Sequence, residues 1–172
     1  MKTMLAALSL LLGLALAQTK ITQATYVSND TIQATLKKAA PDAVTDQQIR
    51  MVEVGKSQVG VGVVYRSAKA RQSAVEHDQL TEVYHIIDGS GTLTTGGTLV
   101  NPTRDAKDAK TVTETNGPSQ RSNTMTGGES RHVGPGDVII IPAGVTHYFS
   151  AVDGSIRYLV IRVDTDRVLP LR

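Results

Sequence analysis

Cysteine and tryptophan are absent from this 172-residue chain, and phenylalanine occurs once. Without thiols there are no disulfides, no thiolate metal sites and no sulfur nucleophile. A strong charge of either sign is also missing: 18 basic residues against 16 acidic leave a net charge of +2. No basic run is interleaved with aromatic residues, so the chain lacks both the electrostatic footprint and the stacking platform that nucleic acid requires. After residue 17 no apolar run approaches the ~20 residues that span a bilayer, which predicts no membrane partner once the leader is removed. What remains is 40% hydrophobic and 20% charged, with fifteen glycines and six prolines. That composition describes one globular, turn-rich domain with a single core.

The first residues read as a label. Lys2 is followed by an apolar stretch from Met4 to Leu16 interrupted only by the polar Ser9, and Ala15-Leu16-Ala17 precedes Gln18. A short apolar run ending in small-x-small predicts a secretory signal peptide over 1–17, with the mature chain exported, periplasmic or secreted. An oxidising compartment permits disulfides without requiring them, so the lack of cysteine is compatible with export.

In the mature chain, Ile32, Leu36 and Ala39 have the spacing of a short helix over 31–40, with Ser28, Asn29 and Asp30 as caps and Pro41 as a stop. The period then changes to two. Strands are predicted over 50–54, 59–65, 82–88, 91–95, 99–100, 138–141, 146–152 and 156–163. Gly60 and Gly62 occupy one face of the second, opposite Val59, Val61, Val63 and Tyr65, where a neighbour is expected to approach closely. Turn chemistry separates the strands at Asp88-Gly89, Gly96-Gly97, Gly134-Pro135-Gly136-Asp137, Pro142-Ala143-Gly144 and Asp153-Gly154. Many short strands with one helix predict an all-β sandwich or barrel. The stretch 101–130 is polar and broken by glycine and proline, and is read as a long loop or partly ordered hairpin over one mouth of the barrel.

Two segments carry the chemistry. One runs from His77 through Glu82 and His85 to Gly89, the other from Gly136 through Pro142 and Gly144 to His147. They resemble the two motifs of the cupin superfamily. Gly136, Pro142, Gly144 and His147 fall at the offsets of its second motif; Glu82 and Gly89 match the end of its first, and His77 matches that motif's second histidine. The first histidine falls at Val75, the opening glycine at Lys69 and the closing asparagine of motif two at Ala151. A shorter spacer would instead put Glu76 and Asp78 at the two histidine places. The resemblance, over about 50–165, implies a single cupin-type jelly-roll β-barrel with a short N-terminal helix and a long polar inter-motif loop. The chain then divides into a leader (1–17), an arm with the helix (18–49), the barrel (50–165) and a tail (166–172).

Strand parity leads to a compatible site. Glu82 and Tyr84 share a face that excludes His85, and His147 shares one with Phe149. His77, Glu82 and His147 together would make a 2-His-1-carboxylate site for a divalent transition metal, with iron, manganese, zinc, nickel and copper all compatible. Glu76, Asp78 and Gln79 are the substitutes for the missing ligand. Tyr84 is the first choice for a proton-handling or substrate-orienting catalytic group, with a carboxylate at 76 or 78 as the alternative. The bland readings make His77 a loop cap and pair Glu82 with an arginine such as Arg66 or Arg157. His85 is expected to face outward and His132 to be structural. Three functions remain: a metal-dependent enzyme acting on a small organic molecule (by resemblance an oxygenase, isomerase, epimerase or lyase), a small-molecule or metal-binding module without turnover, and a structural barrel with a decayed site. A homodimer is expected, with the segment 19–54 covering a neighbour's sheet edge.

Overall fold

A computed structural model describes residues 23–172; the expected leader over 1–17 lies outside the described residues. Ser28 opens α1 (Asn29–Leu36), its Oγ accepting from the Thr31 amide at 3.1 Å and so satisfying one of the free first-turn donors. The helix stops at Leu36, its one buried residue, and not at Ala40. The amides of Lys38 and Ala39 reach back three residues to Thr35 and Leu36, tightening the last turn. Pro41 then disfavours helical backbone at Ala40.

Strands β1 (Val44–Val54) and β2 (Ser57–Ser67) form an antiparallel hairpin. Alternation over 50–54 reveals only the second half of β1, because Thr45, Asp46, Gln47 and Gln48 carry no apolar period. Ile49 is an extra residue between the pairs Gln48–Gly62 and Arg50–Val61. Such a bulge reverses the inward parity, so Gln48 before it and Met51 after it both reach Gly60. The close approach expected at the β2 glycines is present. A Cβ on Gly60 would lie 2.4 Å from Gln48 Nε2, and one on Gly62 would lie 2.9 Å from the Gln47 carbonyl oxygen and 3.0 Å from Arg162 Nη1.

The remaining strands are β3 (Ala74–His77), β4 (Leu80–Thr95), β5 (Thr98–Leu99), β6 (Thr103–Arg104), β7 (Ser119–Ser122), β8 (Met125–Thr126), β9 (Glu129–Val133), β10 (Val138–Ile141) and β11 (His147–Asp164). The main sheet runs β1-β2-β11-β3-β7-β6, and β4 joins it by pairing with β11, β9 and β10; β5 and β8 pair separately. The result, among the described residues, is a single all-β jelly-roll barrel with one short α-helix. Among the described residues no helix is long and apolar enough to cross a membrane.

Two expected turns are not turns. β4 and β11 pair along almost their whole lengths, with Gly89 opposite Ile156 and a register shift between Val152 and Ile156. Gly89 has φ 74°, and a Cβ there would lie 1.9 Å from the Ser155 carbonyl oxygen. Asp88-Gly89 and Asp153-Gly154 therefore lie within paired strands, because glycine marks a bent strand locally in the same way as it marks a chain reversal. The stretch 101–130 is also more ordered than its polarity suggests. It holds β6, a π-helical turn (Val112–Asn116), β7, β8 and the start of β9. Pairing of β7 with β3 and β6 satisfies its backbone, and its polar side chains pair too, Arg121 with Asp105 and Arg104 with Asp78, each at 2.7 Å.

The main core includes Val64, Ile86, Leu93, Phe149, Tyr158 and Val160. The same inward parity continues along β4 from Ile86 to Tyr84 and Glu82, and along β11 from Ile156, Tyr158 and Val160 to Arg162. A buried polar cluster thus grows out of the apolar core without any break in the strands.

A candidate metal centre inside the barrel

Three strands deliver the cluster. His77 ends β3, Glu82 and Tyr84 lie near the start of β4, and His147 opens β11, where it pairs with Val75. All three predicted ligands are buried, and each offers a donor atom within 4.8 Å of the others. Glu82 Oε2 lies 3.5 Å from His77 Nε2 and 3.5 Å from His147 Nε2.

Hydrogen bonding fixes which imidazole nitrogens face that point. His147 Nδ1 lies 3.0 Å from the Val145 carbonyl oxygen, which can only accept, so Nδ1 carries the proton. His77 Nδ1 lies 2.8 Å from Ser119 Oγ. The Ser119 hydroxyl gives its own proton to the carbonyl oxygens of Asn116 and Gly117, at 3.1 and 3.0 Å, and therefore accepts from His77. Both Nε2 lone pairs then point at Glu82. Burial lowers the His77 pKa, against the opposing pull of Glu82, which favours the neutral ring.

Glu82 has a permanent counter-charge. Burial alone would raise its pKa, but charge on His77 and N–H donation from the histidines when they are protonated, together with the Arg162 guanidinium, hold it well below the usual carboxylate range; with both rings neutral the guanidinium is the counter-charge that remains. Arg162, directly opposite Glu82 in the β4–β11 ladder, donates through Nε to Glu82 Oε1 at 3.2 Å, through Nη1 to Gln48 Oε1 at 2.7 Å, and through Nη2 to Asp46 Oδ2. The arginines suggested from sequence are engaged elsewhere, Arg66 with Tyr158 and Gln72 and Arg157 with Asp88. Arg162 was missed although a signal existed: it falls in the inward phase of Ile156, Tyr158 and Val160, where a charge demands a partner.

The Tyr84 hydroxyl donates to Glu82 Oε2 at 2.8 Å and lies 3.2 Å from His147 Nε2. Burial, then the Glu82 carboxylate, raises its pKa well above the phenol value, so it stays protonated. The three substitute ligands do not enter the site. Glu76 accepts from Gln120 and Thr146, Asp78 pairs with Arg104, and Gln79 donates to Asp166. Val75, at the family's missing histidine place, is buried and lines the cavity beside His77. His85 is exposed as expected, and His132 pairs on the surface with Asp153 at 2.8 Å.

The jelly-roll barrel, the spacing of the second motif and the convergence of both segments on one interior point fit one known barrel. The fold is that of the cupins. In agreement, residues 122–171, which hold the second motif and all of β11, match the AraC-like ligand binding domain, a cupin-type domain. Among solved structures the chain is similar to the DMSP lyase DddQ from Ruegeria pomeroyi DSS-3, at 18% identity and TM-score 0.45, over 72% of this chain and 48% of that one. It is similar to an oxalate oxidase in complex with the substrate analogue glycolate, at 16% and 0.46, over 77% and 58%. It is also similar to a Bacillus halodurans protein, at 15% and 0.45, over 81% and 80%. The chain spans about half the length of the lyase. No curated protein matches it in sequence.

The donor set of this cupin barrel fits a divalent metal. Ligand atoms held about 2.0–2.1 Å from an ion sit roughly 3.0–3.4 Å apart, so the two 3.5 Å separations need to close only slightly. Each histidine already donates its other ring nitrogen to an oxygen, the arrangement that orients imidazole ligands and raises their basicity.

Proposed function

We propose that this cupin-fold chain holds a divalent transition metal on His77 Nε2, Glu82 and His147 Nε2, and presents it to a small organic molecule. The carrying observation is a shortage of donors. Two Nε2 lone pairs and Glu82 Oε2 converge, and the Tyr84 hydroxyl is the single proton donor shared among them. A cation at that point satisfies all three. Three protein ligands leave coordination positions open, and the site lines a cavity of about 440 Å³, within the size range of small-molecule pockets. The bound ion would supply Lewis acidity toward a ligand oxygen, the chemistry that isomerase and lyase reactions draw on, and a redox-active ion would be needed for an oxygenase.

The chain's own groups complete the reading. Tyr84 keeps its proton and orients a ligand through a donated hydrogen bond. Asp46 Oδ1 is buried without a hydrogen-bond partner and lines the same cavity, which suits it to accept a proton. The ligand-binding-domain match favours a second reading, retention of a small molecule without turnover. Export and pairing with a second copy belong to the proposal as well. β1 is terminal in the sheet order, and β10, which pairs only with β4, exposes Val138 and Ile140 at 60% and 67%. An intact mass beginning at Gln18 and a dimeric sedimentation mass are the expected results, and a monomer at micromolar concentration refutes the pairing.

Metal analysis after purification and reconstitution tests the central claim. One equivalent per chain is expected in the wild type and none in His147→Ala, with Glu82→Gln as a second variant of nearly unchanged shape. A wild type that retains no tested divalent ion refutes it. A substrate screen with loaded protein then separates turnover from retention.

A further inference from the structure

Arg66 lies on β2 and lines the same cavity; among the described residues no carboxylate stands within ion-pair distance of it, and Asp46 acts on it only through space. Its Nε donates to Tyr158 Oη at 2.9 Å and its Nη1 to Gln72 Oε1 at 3.1 Å, both neutral acceptors. Its guanidinium carbon sits 5.4 Å from the Phe149 ring centroid and 5.9 Å from that of Tyr158, which holds the plane in place. A guanidinium carries five N–H donors, so three remain without an acceptor among the described residues. Of the other lysine and arginine side chains lining this cavity, Arg162 pairs with Glu82 and Asp46, Arg121 with Asp105 and Lys110 with Glu114, while Arg71 is exposed at the rim and has no ion-pair partner among the described residues.

A second observation points the same way. Arg121 lies directly opposite Val75 in the β3–β7 ladder, on the cavity side, and its Nη2 is buried with no hydrogen-bond partner. Two guanidiniums therefore hold spare donors toward one enclosed space. A half-buried cation whose direct hydrogen-bond partners are all neutral is stabilised by an anion, and the planar fork matches an oxyanion in two-point geometry.

We propose that the cavity binds a small organic oxyanion, anchored by Arg66 with the spare Arg121 donor assisting. This deepens the metal-site reading, since the anchored molecule would lie beside His77, Glu82 and His147. The anchor is nevertheless a property of the chain alone and is testable without metal.

The experiment is calorimetric titration of chelator-treated, full-length mature protein with malonate, inorganic phosphate and malonamide, the last an uncharged match to malonate. Malonate or phosphate is expected to bind, more weakly as salt rises, and malonamide about a hundredfold more weakly or not at all. The tighter of the two anions distinguishes a carboxylate from a phosphate ligand. Arg66→Gln is expected to lower anion affinity about a hundredfold, while Arg66→Lys restores part of it. Equal binding of malonate and malonamide overturns the proposal, as does failure of both anions to bind at millimolar concentration; neither result depends on a variant folding. Failure of the metal reading is seen separately: wild-type protein without retained metal that still binds malonate through Arg66 loses the metal centre and keeps the anchor.

Discussion

Replacing Arg162 with methionine removes the counter-charge beneath the candidate metal centre with little change in side-chain length. Arg162 is 1% exposed and Glu82 2%. Breaking a buried pair from one side costs about 3–5 kcal/mol, because the remaining carboxylate stays buried and uncompensated. Asp46 and Gln48 lose donors in the same step. For a domain of this size each kcal/mol lowers Tm by roughly 2–4 °C, so metal-free Arg162→Met is expected to melt about 10 °C below the metal-free wild type. The loss has a pH signature. Glu82 has a depressed folded pKa, so its contribution is present above the ordinary carboxylate pKa and fades as pH falls through the lower folded value. The gap between wild type and variant should therefore narrow below about pH 4.5. A divalent ion beside Glu82 supplies the missing positive charge, so saturating metal should also narrow the gap. The assay is urea unfolding followed by circular dichroism, with chelator and with metal, across pH. A metal-free loss below about 1 kcal/mol at neutral pH, or a loss that added metal leaves unchanged, refutes the coupling of Arg162 to the site through Glu82.

Other outcomes follow from neighbouring contacts. Gly62→Ala places a methyl 2.9 Å from the Gln47 carbonyl oxygen and should destabilise by about 1–3 kcal/mol; unchanged unfolding would mean that β1 has room to shift. Ser119→Ala removes the acceptor of the His77 Nδ1 proton, so metal affinity measured by chelator competition should fall about 10–100-fold with the ligands intact, and unchanged affinity would show that Ser119 does not orient the ring. Val75→His adds an imidazole at a position lining the cavity beside His77; tighter metal retention is expected, and weaker retention in a folded variant would show that Val75 does not face the ion. The folded His77 pKa is lowered from 6.5, so this residue's contribution to metal-free stability is complete above that value and is lost as pH falls below it toward the folded pKa. A flat stability profile across that window would contradict the buried neutral ring.

His77, Glu82 and His147 were offered as a set by their resemblance to the cupin motifs, with local pattern supporting two of them. Strand parity puts Glu82 with Tyr84, and the Gly136 and Gly144 turns set the start of β11. Arg162 and Ser119 were not recognised as parts of the site, and Arg66 was offered only as a partner of Glu82, since their roles depend on partners distant in sequence. Arg162 meets Glu82 across 80 residues, and Ser119 meets His77 across 42. The first half of β1 was hidden by its polar residues, two of which, Asp46 and Gln48, accept hydrogen bonds from Arg162.

The amino-acid order by itself determined an all-β barrel and the faces of its main strands, since alternation is a local property of an extended chain, and its resemblance to the cupin motifs offered the three candidate metal ligands. Only the folded barrel decided which arginine neutralises Glu82, which nitrogen each histidine presents, that Asp88-Gly89 bends a strand where a turn was expected, and that Arg66 stands without a carboxylate. Those outcomes depend on ladder register and on the desolvation of groups brought together from opposite ends of the chain, and the local sequence carries no record of either.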